Sequence, residues 1–250
     1  MTPTALDFLI AGRASDAIEA YLQILDRDPN SRSAVDGLAS AYMCAGQYDK
    51  AIPLKWRVHK WQKAETPDHP GQQLQIACSH WCLGEHSRAM ALVHELCMGI
   101  IDQTIGMSPD MAGGATFGLI LHYMAVTARD DSNVQHALNY FTRLNEQYEQ
   151  RPNLFRFPKE TVRQILGLES FEDVLQAATS ARDLTSALIA ASENRSVKAA
   201  LVVALFQDGV LQRVENNEVR CMARMSEVFE LGYQANALRW CLSRYERTKK

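Results

Sequence analysis

A cluster of glycines in the stretch SPDMAGGATFGLILHY, residues 108–123, has the residue types that could hold a phosphate group. Gly113 and Gly118 are separated by the four residues of a phosphate-binding loop. Leu119 and Ile120, however, stand where such a loop has its lysine and its hydroxyl residue. A dinucleotide-binding glycine motif would follow a β-strand, and the sequence predicts no strand here. We therefore predict that the glycines lie inside a helix.

This helix is predicted to begin at Ser108, with Pro109 in its first turn. Gly114 and Gly118, with Ala115 beside them, then share one helical face, which would let another backbone approach closely. Each glycine inside a helix costs about 1 kcal/mol relative to alanine, so a packing contact is expected to offset that cost. We predict close helix packing on this face, with a partner or ligand contact as the alternative.

Cysteines and histidines form the second candidate for chemistry. Cys78 and Cys82 are four residues apart, with His80 and His86 nearby. These side chains can bind zinc, but structural zinc ligands usually lie in loops, and both cysteines are predicted to lie within one helix. We interpret the cluster as buried or groove-lining side chains and predict no metal and no other cofactor.

Motifs for catalysis are missing from the sequence, which has no Gly-x-Ser-x-Gly and no His-Glu-x-x-His. The 26 basic residues nearly balance the 29 acidic ones, so a bulk attraction to nucleic acid or to an anionic membrane is not indicated. The first residues lack a signal-peptide pattern, and charged residues interrupt the most apolar run. We expect a cytoplasmic protein with reduced cysteines, and not an enzyme.

An internal repeat defines the elements that must position these residues. The stretches AGRASDAIEAYLQILDRDPN (11–30) and AGQYDKAIPLKWRVHKWQKA (45–64) align without gaps at an offset of 34 residues, which places Gly12 on Gly46. A repeat of this length is typical of stacked helical hairpins, because a single hairpin cannot bury its apolar face alone.

The spacing of large and small residues in the second repeat resembles the tetratricopeptide repeat (TPR) family. The matching positions are Val35, Leu38, Ala39, Tyr42, Gly46 and Ala51. The resemblance extends over about residues 2–150, as four repeats at about 2–30, 32–64, 70–106 and 108–150. It implies an all-α fold, a TPR-like α-solenoid of helical hairpins.

The proline-bracketed stretch RPNLFRFP, residues 151–158, is predicted to separate the TPR-like region 1–150 from a helical C-terminal extension, 151–250. Helical periodicity continues through the extension, and no alternating pattern long enough for a strand occurs. The whole chain is therefore predicted to be all-α.

Two further expectations concern helix ends and lengths. In the C-terminal extension, Ser196 and Asn217 are predicted to begin helices, and Gly209 and Gly232 to end them. The third and fourth repeats are 48 residues apart, not 34, which predicts two helices of about 20 residues (85–106 and 108–131). Together they would form an oversized, projecting hairpin.

The TPR resemblance also implies where a partner would bind, because in that family the inner face of each first helix lines a concave groove. The corresponding positions here are Asp36, Ser40, Met43, Leu74, Cys78, Trp81, His122 and Arg129. They lack the Asn, Lys and Arg residues with which some family members grip an acidic C-terminal peptide, so that role is disfavoured. A core-facing position is the alternative for Trp81.

We predict a protein-binding scaffold without chemistry of its own. Within that class we favour a dedicated binder of one partner protein, such as an immunity protein that neutralises a toxin, or a secretion chaperone for an effector. The first alternative is a regulator that senses a peptide or small ligand in the groove. The second is a metalloprotein or enzyme built on the cysteines and histidines.

Overall fold

The computed structural model describes residues 3–65, 70–102, 104–105, 112–150, 157–231 and 237–248. Within these ranges it contains helices and no β-strand, and neighbouring helices pack as antiparallel pairs. The predicted all-α, TPR-like class of helical hairpins is thereby confirmed. The helices are α1 (Ala5–Ile10), α2 (Ala14–Arg27), α3 (Arg32–Ala45), α4 (Tyr48–Glu65), α5 (Gly71–Cys82), α6 (His86–Ile101), α7 (Ala112–Ala128), α8 (Asp131–Gln150), α9 (Lys159–Ile165), α10 (Phe171–Thr179), α11 (Leu184–Glu193), α12 (Arg195–Val214), α13 (Glu218–Glu230) and α14 (Ala237–Thr248).

Packing divides the chain into two compact bodies. The N-terminal body comprises Met1–Leu92 together with Gly232–Lys250, and the central body comprises Val93–Leu231. The division falls inside α6 and groups α14 with the first five helices. It differs from the boundary predicted at 151–158, most of which lies outside the described residues. Among the described helices, none has the length and apolarity needed to cross a membrane.

The glycine that recurs in the repeats turns the chain between the two helices of a hairpin. Gly12, Gly46 and Gly84 all have left-handed backbone conformations, with φ of 75°, 78° and 83°. A side chain in this conformation costs about 1–2 kcal/mol, which explains why the pattern calls for glycine there. The fourth hairpin departs from the rule, because Arg129 takes the left-handed position with φ of 57°.

The turn at Arg129 is held by hydrogen bonds on its C-terminal side. The Asp130 N–H donates to the Ala125 carbonyl (2.9 Å), and Asp130 Oδ1 accepts from the Asn133 N–H at the start of α8 (3.1 Å). These contacts satisfy backbone groups at the end of α7 and the start of α8. The sequence RDDSN therefore makes the same turn as the glycine repeats, at a cost in backbone strain.

Of the four predicted helix ends in the C-terminal extension, one is right, two are wrong, and Gly232 lies outside the described residues. Asn217 caps α13 by accepting the Arg220 N–H. At α12 the cap is Asn194, and Ser196 lies within the first turn. The helix also continues through Gly209. A β-carbon at this position would lie 3.0 Å from the Arg224 side chain. Gly209 thus marks the close crossing of α12 and α13, not a helix end.

The oversized hairpin is not observed in the described residues. Helix α6 has 16 residues and α7 has 17, against 18 in α4 and 20 in α8. After α6 the chain folds back, with the N–H groups of Thr104 and Ile105 donating to the Gly99 carbonyl (2.9 and 3.0 Å). A β-carbon at position 99 would lie 2.6 Å from Ile105, so this glycine permits the early end of the helix. The predicted helix start at Ser108 and Pro109 lies outside the described residues.

Candidate functional site

The inner surface of α3 and α5 is covered by a helix of the same chain. Within the N-terminal body, α14 packs against both α3 and α5, the first helices of the second and third hairpins. These are the helices on which the TPR resemblance places the partner-binding groove. We call this the α3–α5 surface.

Burial separates the predicted groove residues into two groups. On the α3–α5 surface, at most 2% of each of the following residues is exposed: Met43, Leu74, Cys78 and Trp81. Their prediction as side chains lining an open groove is corrected, because α5 also contacts α4 and α14 lies against both α3 and α5. The core-facing alternative for Trp81 agrees with its burial. A partner could reach these side chains only after helices separate.

Asp36 and Ser40, by contrast, hold a buried lysine. Lys55 of α4 is fully buried, and its Nζ donates to Asp36 Oδ1 (2.6 Å) and to Ser40 Oγ (3.0 Å). Gln72 Nε2 of α5 donates to the same Asp36 oxygen (3.2 Å). The Asp36 side chain remains 42% exposed, so water reaches the carboxylate but not the ammonium group. These four polar residues join α3, α4 and α5 at one edge of the surface.

Burial lowers the pKa of Lys55 from its usual value, and the charge of Asp36 opposes that shift. The gapless offset of 34 residues places Lys55 at the position that Tyr21 occupies in the first repeat. A large side chain is therefore expected at this site, whereas its charge is particular to the second repeat. The alignment was the signal that could have identified Lys55 from the sequence.

The contacts that attach α14 to its neighbours include two hydrogen bonds and a thiol contact. Arg244 Nη1 donates to the Cys44 carbonyl at the end of α3 (2.7 Å). The hydroxyl of Tyr245 is hydrogen-bonded to His86 Nε2 (3.0 Å), and the His86 ring lies against Trp81 with centroids 4.2 Å apart. The Cys82 thiol approaches the backbone carbonyl of Cys241 (4.0 Å). The two polar contacts at Arg244 and Tyr245 are at the second half of α14.

The Arg244 contact depends on the glycine turn that follows α3. A β-carbon on Gly46 would lie 3.0 Å from Arg244 Nη1, so the bare glycine leaves room for the guanidinium. The carbonyls of the last helical turn have no partner within their helix and carry the negative end of its dipole. A cation is therefore well placed at the Cys44 carbonyl.

Arg239, in the first half of α14, has a poorer environment. It is 4% exposed, and its Nη2 has no hydrogen-bond partner within the described part of the chain. Burial lowers its pKa to about 10, and the thiol of Cys78 is the group whose charge would counter that shift. A buried charge is usually paired with an opposite charge. Within the described residues, Arg239 forms no ion pair with a carboxylate.

The thiols around α14 are protonated at neutral pH. Burial raises the pKa of Cys82 to about 12, and it raises the pKa of Cys78 and Cys241 well above the usual value. None of the six cysteines, all within the described ranges, forms a disulfide. Across the described ranges, no three His, Cys, Asp or Glu side chains are grouped so that they could hold a metal ion.

In the central body, the predicted groove residue His122 is buried in the core. It is 2% exposed, and its Nδ1 is 3.1 Å from the amide nitrogen of Gln207, an N–H donor that suits the neutral ring. Burial lowers its pKa from 6.5 to about 4. Its prediction as a groove-lining side chain is corrected by this burial. Arg129 is exposed, at the turn after α7.

We expect His122 to make the central body less stable in acid. Because the folded-state pKa of about 4 is below the unfolded value of 6.5, the unfolded chain binds the proton more tightly. The free energy of unfolding should therefore fall by about 2 kcal/mol between pH 7.5 and pH 5 through this residue alone. Urea unfolding of the wild type and of His122→Gln at both pH values measures the difference. Equal pH dependence of the two proteins would contradict the assignment.

The small residues of α7 lie against α8. The hydroxyl of Tyr140 donates to the Gly114 carbonyl (2.8 Å), and Ala115 is fully buried. A β-carbon on Gly118 would lie 2.6 Å from both the Phe141 and the Tyr140 rings. The sequence left open what contacts this face, and in the structure it is the neighbouring helix.

A cleft of about 310 Å³ lies within the central body, among α10, α12 and α13. Its lining residues are Phe171, Glu172, Asp208, Gln212, Arg220, Ala223 and Arg224. Arg224 forms ion pairs with Asp208 and with Glu227 (2.9 Å), and its guanidinium lies over the Phe171 ring. These ion pairs satisfy the charges of Arg224 and Asp208, which line the cleft, so we assign the cleft no ligand.

No protein-family model matches the chain, and no curated protein matches it. Among solved structures, the chain is similar to a tetratricopeptide repeat protein from Parabacteroides merdae. The sequence identity is 11%, the TM-score is 0.43, and the match covers 95% of this chain and 96% of that one. The fold assignment rests on the helix packing described above.

Proposed function

We propose that this protein is a non-catalytic scaffold that binds a helical segment of one partner protein on the α3–α5 surface. The observation that carries the proposal is that this surface already holds a helix, α14. It does so through buried apolar contacts, a side-chain hydrogen bond to a helix-end carbonyl, and a tyrosine–histidine hydrogen bond. An amphipathic helix in a groove is a common mode of peptide recognition.

Within this function we favour a dedicated partner, such as a toxin that this protein neutralises as an immunity protein, or an effector for which it is a secretion chaperone. The α3–α5 surface supports a single partner because its features are particular: a tryptophan–histidine ring contact, several thiols and a helix-end carbonyl that accepts from Arg244. Six cysteines that form no disulfide are typical of a protein in a reducing compartment such as the cytoplasm.

The test uses the product of an adjacent gene, co-expressed with the full chain, as the candidate partner. A photo-crosslinking amino acid is placed in turn at Ser40 and at His86, which are partly exposed at the α3–α5 surface. Matched control positions are Trp56 and Lys63, which are exposed on α4. We expect crosslinks to the partner from the first two positions and not from the controls. Crosslinks confined to α4, or no complex at all, would rule out the proposed function.

A further inference from the structure

We propose that α14 is a displaceable occupant of the α3–α5 surface, and that the partner binds by seating a helix of its own in place of α14. The partner helix is amphipathic, with a neutral apolar residue where α14 has Arg239 and an arginine where α14 has Arg244. This proposal rests on the proposed function and identifies the chemistry of the partner.

The buried side of α14 is unusually polar for a helix that is part of a core. Arg239, Ser243 and Glu246 follow the i, i+4, i+7 spacing of one helical face, and each is at most 4% exposed. Burial of polar and charged groups opposes docking unless every group is matched by a partner. A helix selected only for stability would carry apolar side chains along this line.

Arg239 is the group that is not matched. Its Nη2 is buried with no hydrogen-bond partner within the described residues, and the thiol of Cys78, whose negative charge would favour the guanidinium, is held protonated by burial, which raises its pKa. Removing a guanidinium from water without a carboxylate partner is unfavourable. The position therefore favours a neutral residue, so α14 is a weaker ligand for this surface than a helix carrying leucine or methionine there.

Arg244, by contrast, occupies a place that any competing helix would use. The Cys44 carbonyl lies in the last turn of α3, and Gly46, which has no side chain, leaves the space in which the guanidinium lies. The contact is made to backbone atoms, so it needs only a cation at the right distance along the incoming helix. In α14 that cation comes five residues after Arg239, and Tyr245 follows it to meet His86.

Two buried apolar positions of α14 indicate which side chains the partner helix needs between its neutral residue and its arginine. Cys241 and Leu242 are fully buried, so the partner helix needs small or aliphatic side chains at these two places. The predicted recognition pattern is a neutral residue, two apolar residues two and three positions after it, an arginine five positions after it and a tyrosine six positions after it. Charge at the first of these positions is what weakens α14.

The first experiment measures binding of a helix supplied in trans. The probe is a fluorescent peptide with the sequence of residues 237–250 and the substitution Arg239→Met. The hosts are the full chain as wild type, with Arg239→Met to tighten its own helix, and with Leu242→Asp to loosen it. We expect the Leu242→Asp host to bind the peptide at least tenfold more tightly than the wild type, and the Arg239→Met host at least tenfold more weakly. Equal affinity for the three hosts overturns the proposal.

A peptide carrying both Arg239→Met and Leu242→Asp is the matched control, because it keeps the length and the arginine but places a charge at a buried position. Its binding to the loosened host should be at least tenfold weaker. Comparable binding of the two peptides overturns the proposal. Dimerisation of the wild-type chain that increases with concentration and is lost in Leu242→Asp would identify the α14 of a second copy as the occupant, which also overturns the assignment to a partner protein.

A second measurement does not depend on how Leu242→Asp folds. In the wild-type chain, the amide hydrogens of α14 should exchange at least tenfold faster than those in the middle of α3 and α5, because α14 leaves its site without global unfolding. Arg239→Met should slow that exchange and leave α3 unchanged. Exchange of α14 only at the rate of α3 and α5 overturns the proposal.

The two proposals fail in different ways. A partner that crosslinks at Ser40 and His86, yet leaves the exchange of α14 unchanged and binds the wild type and Arg239→Met equally, overturns displacement and leaves the scaffold function intact. A partner that crosslinks only on α4 removes the proposed function itself.

Discussion

Replacing Asp36 with alanine should lower the free energy of unfolding by about 3–5 kcal/mol. The reason is the geometry of Lys55, which is fully buried while its carboxylate partner is partly in water. Without Asp36, the ammonium group keeps Ser40 as a hydrogen-bond acceptor but has no opposite charge within contact distance among the described residues. The side chain must then stay charged without compensation or lose its proton at neutral pH. Urea unfolding at pH 7 measures the loss.

The matched control is Lys55→Met, which removes the other member of the pair. Asp36 is then left partly exposed and still accepts the hydrogen bond from Gln72, so no charge is stranded. Replacing a buried ion by a hydrophobic side chain of similar volume is often neutral or stabilising, and we expect a change within about 1 kcal/mol. If Asp36→Ala and Lys55→Met lower the free energy of unfolding equally, the inference that only the buried Lys55 depends on its partner is wrong.

Gly118→Leu is the second change expected to have a large effect, a loss of about 3 kcal/mol or more in the free energy of unfolding. A β-carbon alone would already lie 2.6 Å from two aromatic rings of α8. Those rings cannot easily move, because Phe141 is fully buried and Tyr140 is held by its hydrogen bond to the Gly114 carbonyl. The favourable helix propensity of leucine offsets less than about 1 kcal/mol of this cost.

The control for this change is Ala128→Leu, near the end of the same helix, where the side chain is exposed. It adds a similar side chain without a clash, so its stability should stay within about 0.5 kcal/mol of the wild type. Thermal or urea unfolding of both variants gives the comparison. A Gly118→Leu protein as stable as the control would show that α7 and α8 can separate without loss.

Sequence reasoning was most successful where the structure is set by local contacts. The turns at Gly12, Gly46 and Gly84 depend on one backbone conformation, so a glycine recurring at intervals of 34 and 38 residues was enough to locate hairpins. The same reasoning could not anticipate Arg129, because a left-handed arginine is made tolerable by the capping contacts of Asp130, which is a property of the fold. The repeat pattern thus predicts the turns that use glycine and misses the turn in which Arg129 takes its place.

The candidate site was harder to predict because it depends on a contact between residues far apart in sequence. Arg244 lies 200 positions beyond Cys44, and no repeat or motif connects the two. The sequence pattern gives the periodicity of the helix that contains Arg244, but it does not give the surface on which that helix docks. Burial of Cys78 and Trp81 follows from that unforeseen packing.

The charged pair of the second repeat has a consequence for how freely the hairpins could be exchanged. Repeat proteins are often modular, and consensus units can be permuted or duplicated because each contacts its neighbours through equivalent positions. Here Lys55 stands in the slot of Tyr21, and its counter-charge and supporting amide come from α3 and from α5 of the following hairpin. A shuffled array would remove the hydrogen bond from Gln72 to Asp36 and give Asp36 a different neighbour. These contacts therefore require the third hairpin to follow the second, so the two hairpins can be moved or duplicated only together.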